Sequence, residues 1–157
     1  MENEFVYKRA TVEDIADLVL SRLQVLKTVF HLNETANMEQ IKEASLAYYK
    51  EALANETHTA YLVYDGESVI GAGGICYYEV MPMPYNTSGK RAYIMNMYTA
   101  EQYRRRGIAG KVLDLLLADA KQKGVLQVSL SATELGKPVY KKRGFFANKD
   151  AMLYEAY

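Results

Sequence analysis

The sequence predicts a single mixed α/β domain over residues 1–157, with at least one parallel strand pair in its sheet. Three observations predict it: helical spacing in the first third, a switch to strand composition in the middle, and an amphipathic helix held between two later strand-like runs.

Residues 5–8 (Phe-Val-Tyr-Lys) read as a short first strand. Thr11 stands three residues before Asp14, an arrangement close to a capping box. Ile15, Leu18, Val19, Arg22, Leu23 and Leu26 follow at helical spacing, so a first helix should run to about Phe30. Ile41, Ala44, Tyr48, Tyr49 and Leu53 suggest a second helix, stopping near Asn55. The period then changes. Residues 60–64 and 68–78 read as two strands joined by a tight turn at Asp65-Gly66-Glu67. Residues 81–89, with prolines at 82 and 84, are dense in turn formers and should be an exposed loop. Residues 93–99 return to strand composition. An apolar helix is expected over 108–123, closed by Gly124, then a strand over 125–130, a short helix over 136–142 and terminal strand material over 145–157.

Bulk properties narrow the function. Hydrophobic residues make up 50% and charged residues 24%, the balance of a soluble globular chain. Lys plus Arg and Asp plus Glu both number 19, so the overall basic surplus on which non-specific nucleic-acid or anionic-membrane binding rests does not exist. The lone cysteine, Cys76, forms no intramolecular disulfide and no thiolate metal cage, which fits a reducing compartment. The first residues carry no basic stretch followed by an apolar one, and no apolar run is long enough to span a bilayer, so the cytoplasm is the expected location.

The chemistry is expected around residues 99–110, Thr-Ala-Glu-Gln-Tyr-Arg-Arg-Arg-Gly-Ile-Ala-Gly. A strand ends, a turn follows, and a helix opens on small residues. Such a start offers free backbone N–H groups at the positive end of a helix dipole, an anion site that suits a pyrophosphate. Gly107, Ala109 and Gly110 let phosphate oxygens approach the main chain, and Arg104, Arg105 and Arg106 add charge. The plainer reading, a solvated basic turn broken by a glycine, also fits this stretch taken alone.

Set between an apolar strand and an amphipathic helix, Arg104-x-x-Gly107-x-Ala109 resembles the cofactor-binding motif of the GNAT superfamily of N-acetyltransferases. Residues 132–145 resemble the same family's closing pattern, a short helix ending Tyr140-x-x-x-Gly144-Phe145. Both motifs stand in the family's order, and the element order matches along the whole chain. The resemblance implies a central mixed, mostly antiparallel sheet flanked by helices, and acetyl transfer from acetyl-CoA, used as a cosubstrate, to an amine of a small molecule or peptide. Two histidines and one cysteine argue against a catalytic metal. The resemblance further implies that main-chain groups of Met97, Tyr98 and Thr99 pair with the pantetheine arm. The pyrophosphate would sit on residues 104–110, including Ile108, and Tyr140 would protonate the departing thiolate. A phenol with a pKa near 10 holds that proton at neutral pH. In a chain with 14 tyrosines, Tyr140 as a plain core aromatic is the competing reading. The resemblance also implies frequent pairing into homodimers, and nothing in it or in the composition points to a nucleic-acid or membrane partner.

The chain departs from the family pattern in places. Gly136 and Thr133 stand where many relatives have alanine and asparagine, and threonine can still hydrogen-bond the cofactor. Tyr93 stands where some relatives carry a glutamate base. Asn96 is open to two readings: it orients a water or the acceptor, or it is a structural asparagine bonded to backbone. Glu79 is either a base or ammonium ligand, or a solvated carboxylate at a strand end. Cys76 as an acyl-carrying nucleophile wants a nearby base, and His31 and His58 lie in other elements, so a half-buried strand cysteine is the expectation. Phe30, His31, Glu34, Tyr48, Tyr49, Tyr85 and Glu79 fall in segments that, by the resemblance, wall the acceptor site, and they read equally well as core and rim. The rival reading from another class is an acyl-CoA-binding module that senses rather than catalyses.

Overall fold

The computed structural model describes residues 4–157. Five strands form one sheet in sequence order: β1 (Val6–Arg9), β2 (His58–Asp65), β3 (Ser68–Glu79), β4 (Lys90–Thr99) and β5 (Gln127–Leu130). β1 to β4 pair antiparallel and β4 pairs with β5 in parallel. The parallel pair needs a crossover, supplied by helix α3 (Ile108–Gln122) as the sequence predicts. Helices α1 (Ile15–Val29) and α2 (Glu39–Ala54) lie between β1 and β2, and the short α4 (Lys137–Lys141) follows β5.

The expected cap forms. The Thr11 N–H donates to Asp14 Oδ2 at 2.8 Å, the Glu13 N–H donates to Thr11 Oγ1 at 3.3 Å, and Lys8 holds Asp14 at 2.7 Å. It starts a 3-10 turn that leads directly into α1.

Alternation along the strands sorts the core to two faces. Leu62 joins Ile15, Leu18, Val19 and Tyr49 under α1 and α2, while its neighbour Val63 joins Val112, Leu113 and Leu116 under α3. Val112, Leu113 and Leu116 are fully buried, and each such side chain stabilises the α3 face by about 1.5–3 kcal/mol. Among the described residues, no helix is long and apolar enough to cross a membrane.

One expectation holds with an exception and one is corrected. The 81–89 loop exposes Met81 and Tyr85, but Asn86 is buried, donating to the Lys90 carbonyl at 2.9 Å and to Gln127 Oε1 at 3.1 Å. A turn rich in formers is still tied down where one amide side chain can bridge two strands. The strand expected over 145–157 does not form. A strand needs a ladder partner, and no pairing reaches these residues, β5 being bonded only to β4. Phe146, Met152, Leu153 and Tyr154 consequently lie at least 84% exposed.

Candidate active site

The site begins at an irregularity in β4. The β3–β4 register runs from Ile75↔Ile94 and Gly74↔Met95 to Ala72↔Tyr98, so β4 carries one residue too many at this point. Asn96 absorbs the bulge with φ +58, a left-handed conformation that asparagine tolerates better than most residues. The extra residue shifts the alternation. Ala92 and Ile94 face α3 before the bulge and Met97 faces it afterwards, while Met95 and Asn96 both turn toward α1 and α2.

β4 also parts from β5 there. Their pairing ends at Ile94↔Leu130, so the main chain of Met97, Tyr98 and Thr99 has no strand partner on the β5 side. Thr99 Oγ1 is buried without a hydrogen-bond partner beside this open edge. An extended polar chain with amides of its own fits such an edge as an added strand would.

The open edge leads to the start of α3. A 3-10 turn at Glu101–Tyr103 carries the chain away from the sheet, and Gly107 turns it back with φ +78. Only glycine takes that conformation freely, and it presents the N–H groups of Ile108, Ala109 and Gly110 at a helix start where no intrahelical acceptor exists. The three arginines differ. Arg104 Nε donates to the Thr99 carbonyl at 3.3 Å, Arg106 lies 5.3 Å from the centre of the Tyr103 ring, and exposed Arg105 takes φ +63. Tyr103 is itself fixed by donating to Asp65 Oδ2 at 2.7 Å. The cradle is thus a braced cationic turn and fits the pyrophosphate end of coenzyme A.

Tyr140 lies on α4, on the α3 side of the sheet. Its ring meets Phe145 edge-on at 5.9 Å, and burial raises its hydroxyl above the ordinary tyrosine value, so it carries its proton at neutral pH. Tyr64, Tyr77 and Tyr103 give their hydroxyls to Asp17, Asp119 and Asp65, whereas Tyr140 has no such acceptor among the described residues. Gly136 leaves room for that ring, since a Cβ there would stand 3.0 Å from Tyr140 Cε2. Thr133 is exposed, and its Oγ1 accepts the Gly136 N–H at 3.2 Å, fastening the start of α4.

On the opposite face, a cavity of about 250 Å³ opens beside the bulge, between α1, α2, β2 and β4. Asn96 and Met95 line it, with Tyr48, Tyr49, Arg22 and His58. His58 is 4% exposed, its Nδ1 lies 2.9 Å from the Tyr48 hydroxyl, and its Nε2 has no partner. Asn96, 8% exposed, has an Oδ1 that is equally unpartnered. A buried polar group left without any partner costs about 1–3 kcal/mol.

The structure therefore brings together Asn96, Met97, Tyr98, Thr99 and residues 104–110 along one edge, with Tyr140 on the α3 side. It does not bring Glu79 there. Glu79 sits at the far end of β3, opposite Lys90, and five residues from Gly74 put it about 17 Å along the strand from the bulge. Tyr48 and Tyr49 line this cavity, whereas Phe30, His31 and Glu34 lie exposed beyond α1 and Tyr85 is 91% exposed. His58 and Arg22 are the residues that sequence reasoning missed. Nothing in their local pattern signals a site, because it is the β2–β3–β4 register that carries His58 to Asn96.

A family model described as the Acetyltransferase (GNAT) family matches residues 26–145. Among solved structures, a predicted acetyltransferase from Clostridium acetobutylicum with acetyl-CoA is 28% identical, with TM-score 0.87, covering 97% of this chain and 96% of that one. A GCN5-related N-acetyltransferase from Ralstonia eutropha is 19% identical, with TM-score 0.82, 97% of this chain and 99% of that one being covered. Glucosamine-6-phosphate N-acetyltransferase from Arabidopsis thaliana, at 16% identity and TM-score 0.71, covers 98% of this chain and 99% of its own and shares the fold. No curated protein matches the sequence.

Proposed function

The chain belongs to the GNAT acetyltransferase family, and from that premise we propose that it transfers the acetyl group of acetyl-CoA to a primary amine of a small molecule or peptide, by direct attack in a ternary complex. The observation that carries this reading is the unpaired edge of β4 past Ile94, which runs from the cationic start of α3 to the Asn96 bulge. Acetyl-CoA supplies an acyl thioester. The chain's own groups do the rest. The N–H groups at 108–110 and the arginines hold the phosphates, Met97 to Thr99 align the pantetheine arm, and the bulge fixes where the reacting end stops. Tyr140 gives its proton to the leaving sulfur, and Asn96 orients the amine. Glu79 has no part in this reading, given its distance from the bulge. No metal is needed, since no step calls for a Lewis acid.

Thiol release from acetyl-CoA, followed with a thiol reagent against a panel of primary amines, tests the reading. At least one amine should raise release tenfold or more over hydrolysis in its absence. Acetyl-CoA binding with no amine stimulating release would instead favour the sensing module, to which the glutamate replaced by Tyr93 lends support.

A homodimer in the reducing cytoplasm completes the reading, without nucleic acid or membrane as a partner. The unpaired Cys76 supports the compartment, and the exposed apolar side chains over 146–157 support self-association. Sedimentation equilibrium should give twice the 17.8 kDa chain mass. A monomer mass at every concentration would remove the dimer from the reading.

A further inference from the structure

The cavity beside the bulge has a chemical character of its own. His58, the first residue of β2, stands opposite Cys76 of β3, with its ring edge-on to Tyr48 and Tyr49 of α2 at 5.4 and 5.6 Å. Its Nε2 lies over Gly74, where a Cβ would come within 2.6 Å, so the glycine makes room for the ring. His58 and Asn96 line the same space, and His58 Nε2 and Asn96 Oδ1 lack partners, both atoms being covered in this conformation. Arg22 of α1 is half-buried, forms no ion pair, and is the one charged side chain of the lining among the described residues.

We propose that this cavity is the acceptor site and that it takes a primary amine carrying an anionic group, with Arg22 holding the anion and, once side-chain rotation on binding uncovers them, Asn96 Oδ1 receiving an amine N–H and His58 Nε2 taking the proton released on attack. The proposal rests on the transferase reading above and names the acceptor class that reading leaves open. A guanidinium pairs well with a carboxylate or phosphate. With no carboxylate in the lining, a second ammonium on the ligand meets Arg22 unpaired, so polycationic amines are rejected. The same field and burial favour the neutral form of the bound amine, the form that attacks.

Burial, and then the charge of Arg22, lower the pKa of His58 to about 4, so its ring is neutral at pH 7. The groups facing it are Tyr48 and Tyr49 from α2, Arg22 from α1, Cys76 from β3, and Met95 and Asn96 from β4, of which Arg22 alone is charged. An anion bound to Arg22 offsets that charge and raises the basicity of His58, so the correct acceptor strengthens its own base. With Nδ1–H donated to the Tyr48 oxygen, Nε2 presents a lone pair. The amine lone pair forms the C–N bond to the acetyl carbon as the C–S bond breaks. The nitrogen's proton passes to Nε2, the thiolate takes the Tyr140 proton, and exchange with solvent resets both groups.

The test is amine-stimulated thiol release with matched probes: glucosamine 6-phosphate against glucosamine, O-phosphoethanolamine against ethanolamine, and phenylalanine against phenethylamine. The anionic member of at least one pair should exceed its partner at least tenfold in kcat/KM. Arg22→Gln should raise KM about tenfold for that anionic amine and change the KM of its partner much less. His58→Gln should lower kcat at least tenfold and shift the acidic limb of the kcat–pH profile. If that variant does not fold, Tyr48→Phe keeps the packing, and it should shift the same limb. Preference for uncharged or dicationic amines, or unaltered discrimination in Arg22→Gln, overturns the acceptor assignment and leaves the transferase reading standing. An acidic limb that stays in place in His58→Gln, or in Tyr48→Phe, removes His58 as the base. No release with any amine overturns the acceptor assignment and the transferase reading together.

Discussion

Tyr140→Phe is expected to slow amine-stimulated thiol release about a hundredfold while leaving acetyl-CoA affinity within about a factor of two. The substitution deletes one hydroxyl and keeps the ring that packs on Phe145, so α4 and the nearby core are undisturbed. General acids are worth about 10²- to 10⁴-fold. A thiol has a pKa near 8.5, so its thiolate departs tolerably without help, and the low end of that range applies. The hydroxyl's pKa lies above the usual tyrosine value, so the acid remains protonated through pH 9 and activity should not fall for its sake below that. Steady-state kcat beside calorimetric acetyl-CoA binding separates the two effects. A variant that keeps more than a third of kcat removes the acid role and makes Tyr140 a core aromatic.

The elements of this fold were legible because each is a local matter: helical spacing over α1 and α3, a capping pair at Thr11 and Asp14, turn formers at Asp65-Gly66. The glycine-opened start of α3 was legible for a related reason, since a strand, a turn and a helix that follow one another are contiguous in the chain. The cavity beside the bulge was not, because it depends on register. Simple alternation carries Ala92 and Ile94 toward α3 and would carry Asn96 with them, and only the bulge turns Asn96 to the other face. His58 is 38 residues from Asn96, and two antiparallel pairings bring them to one cavity. The same antiparallel geometry takes Glu79 away, although it is nearer to Asn96 in sequence. The 145–157 segment shows the remaining limit: strand composition expresses a capacity to pair, and pairing requires a free edge in register.

Asp119→Ala is expected to destabilise the fold by about 3 kcal/mol, a fall in Tm of about 6–12 °C for a chain of this length. Asp119 projects from α3 into the sheet and is 5% exposed. It accepts from Arg9 Nη1 of β1 at 2.6 Å, from Thr59 Oγ1 of β2 at 2.8 Å and from the Tyr77 hydroxyl of β3. One carboxylate thus ties the helix that bears the anion cradle to three strands. Alanine strands all three donors. Arg9 is half exposed and finds water, so the cost comes chiefly from Thr59 and Tyr77, which keeps it at the lower end for a broken buried pair. Burial by itself raises the Asp119 pKa, but the bonds from Tyr77, Thr59 and Arg9, with the charge of Arg9, outweigh it and hold the carboxylate below its ordinary value. A depressed folded pKa contributes stability above the unfolded value near 4 and loses it as pH falls through the lower folded one. The Tm gap between wild type and variant should therefore be full at pH 5–8 and narrow below pH 4. A gap under about 2 °C at pH 7, measured by calorimetry, would mean that α3 is held by its apolar face alone.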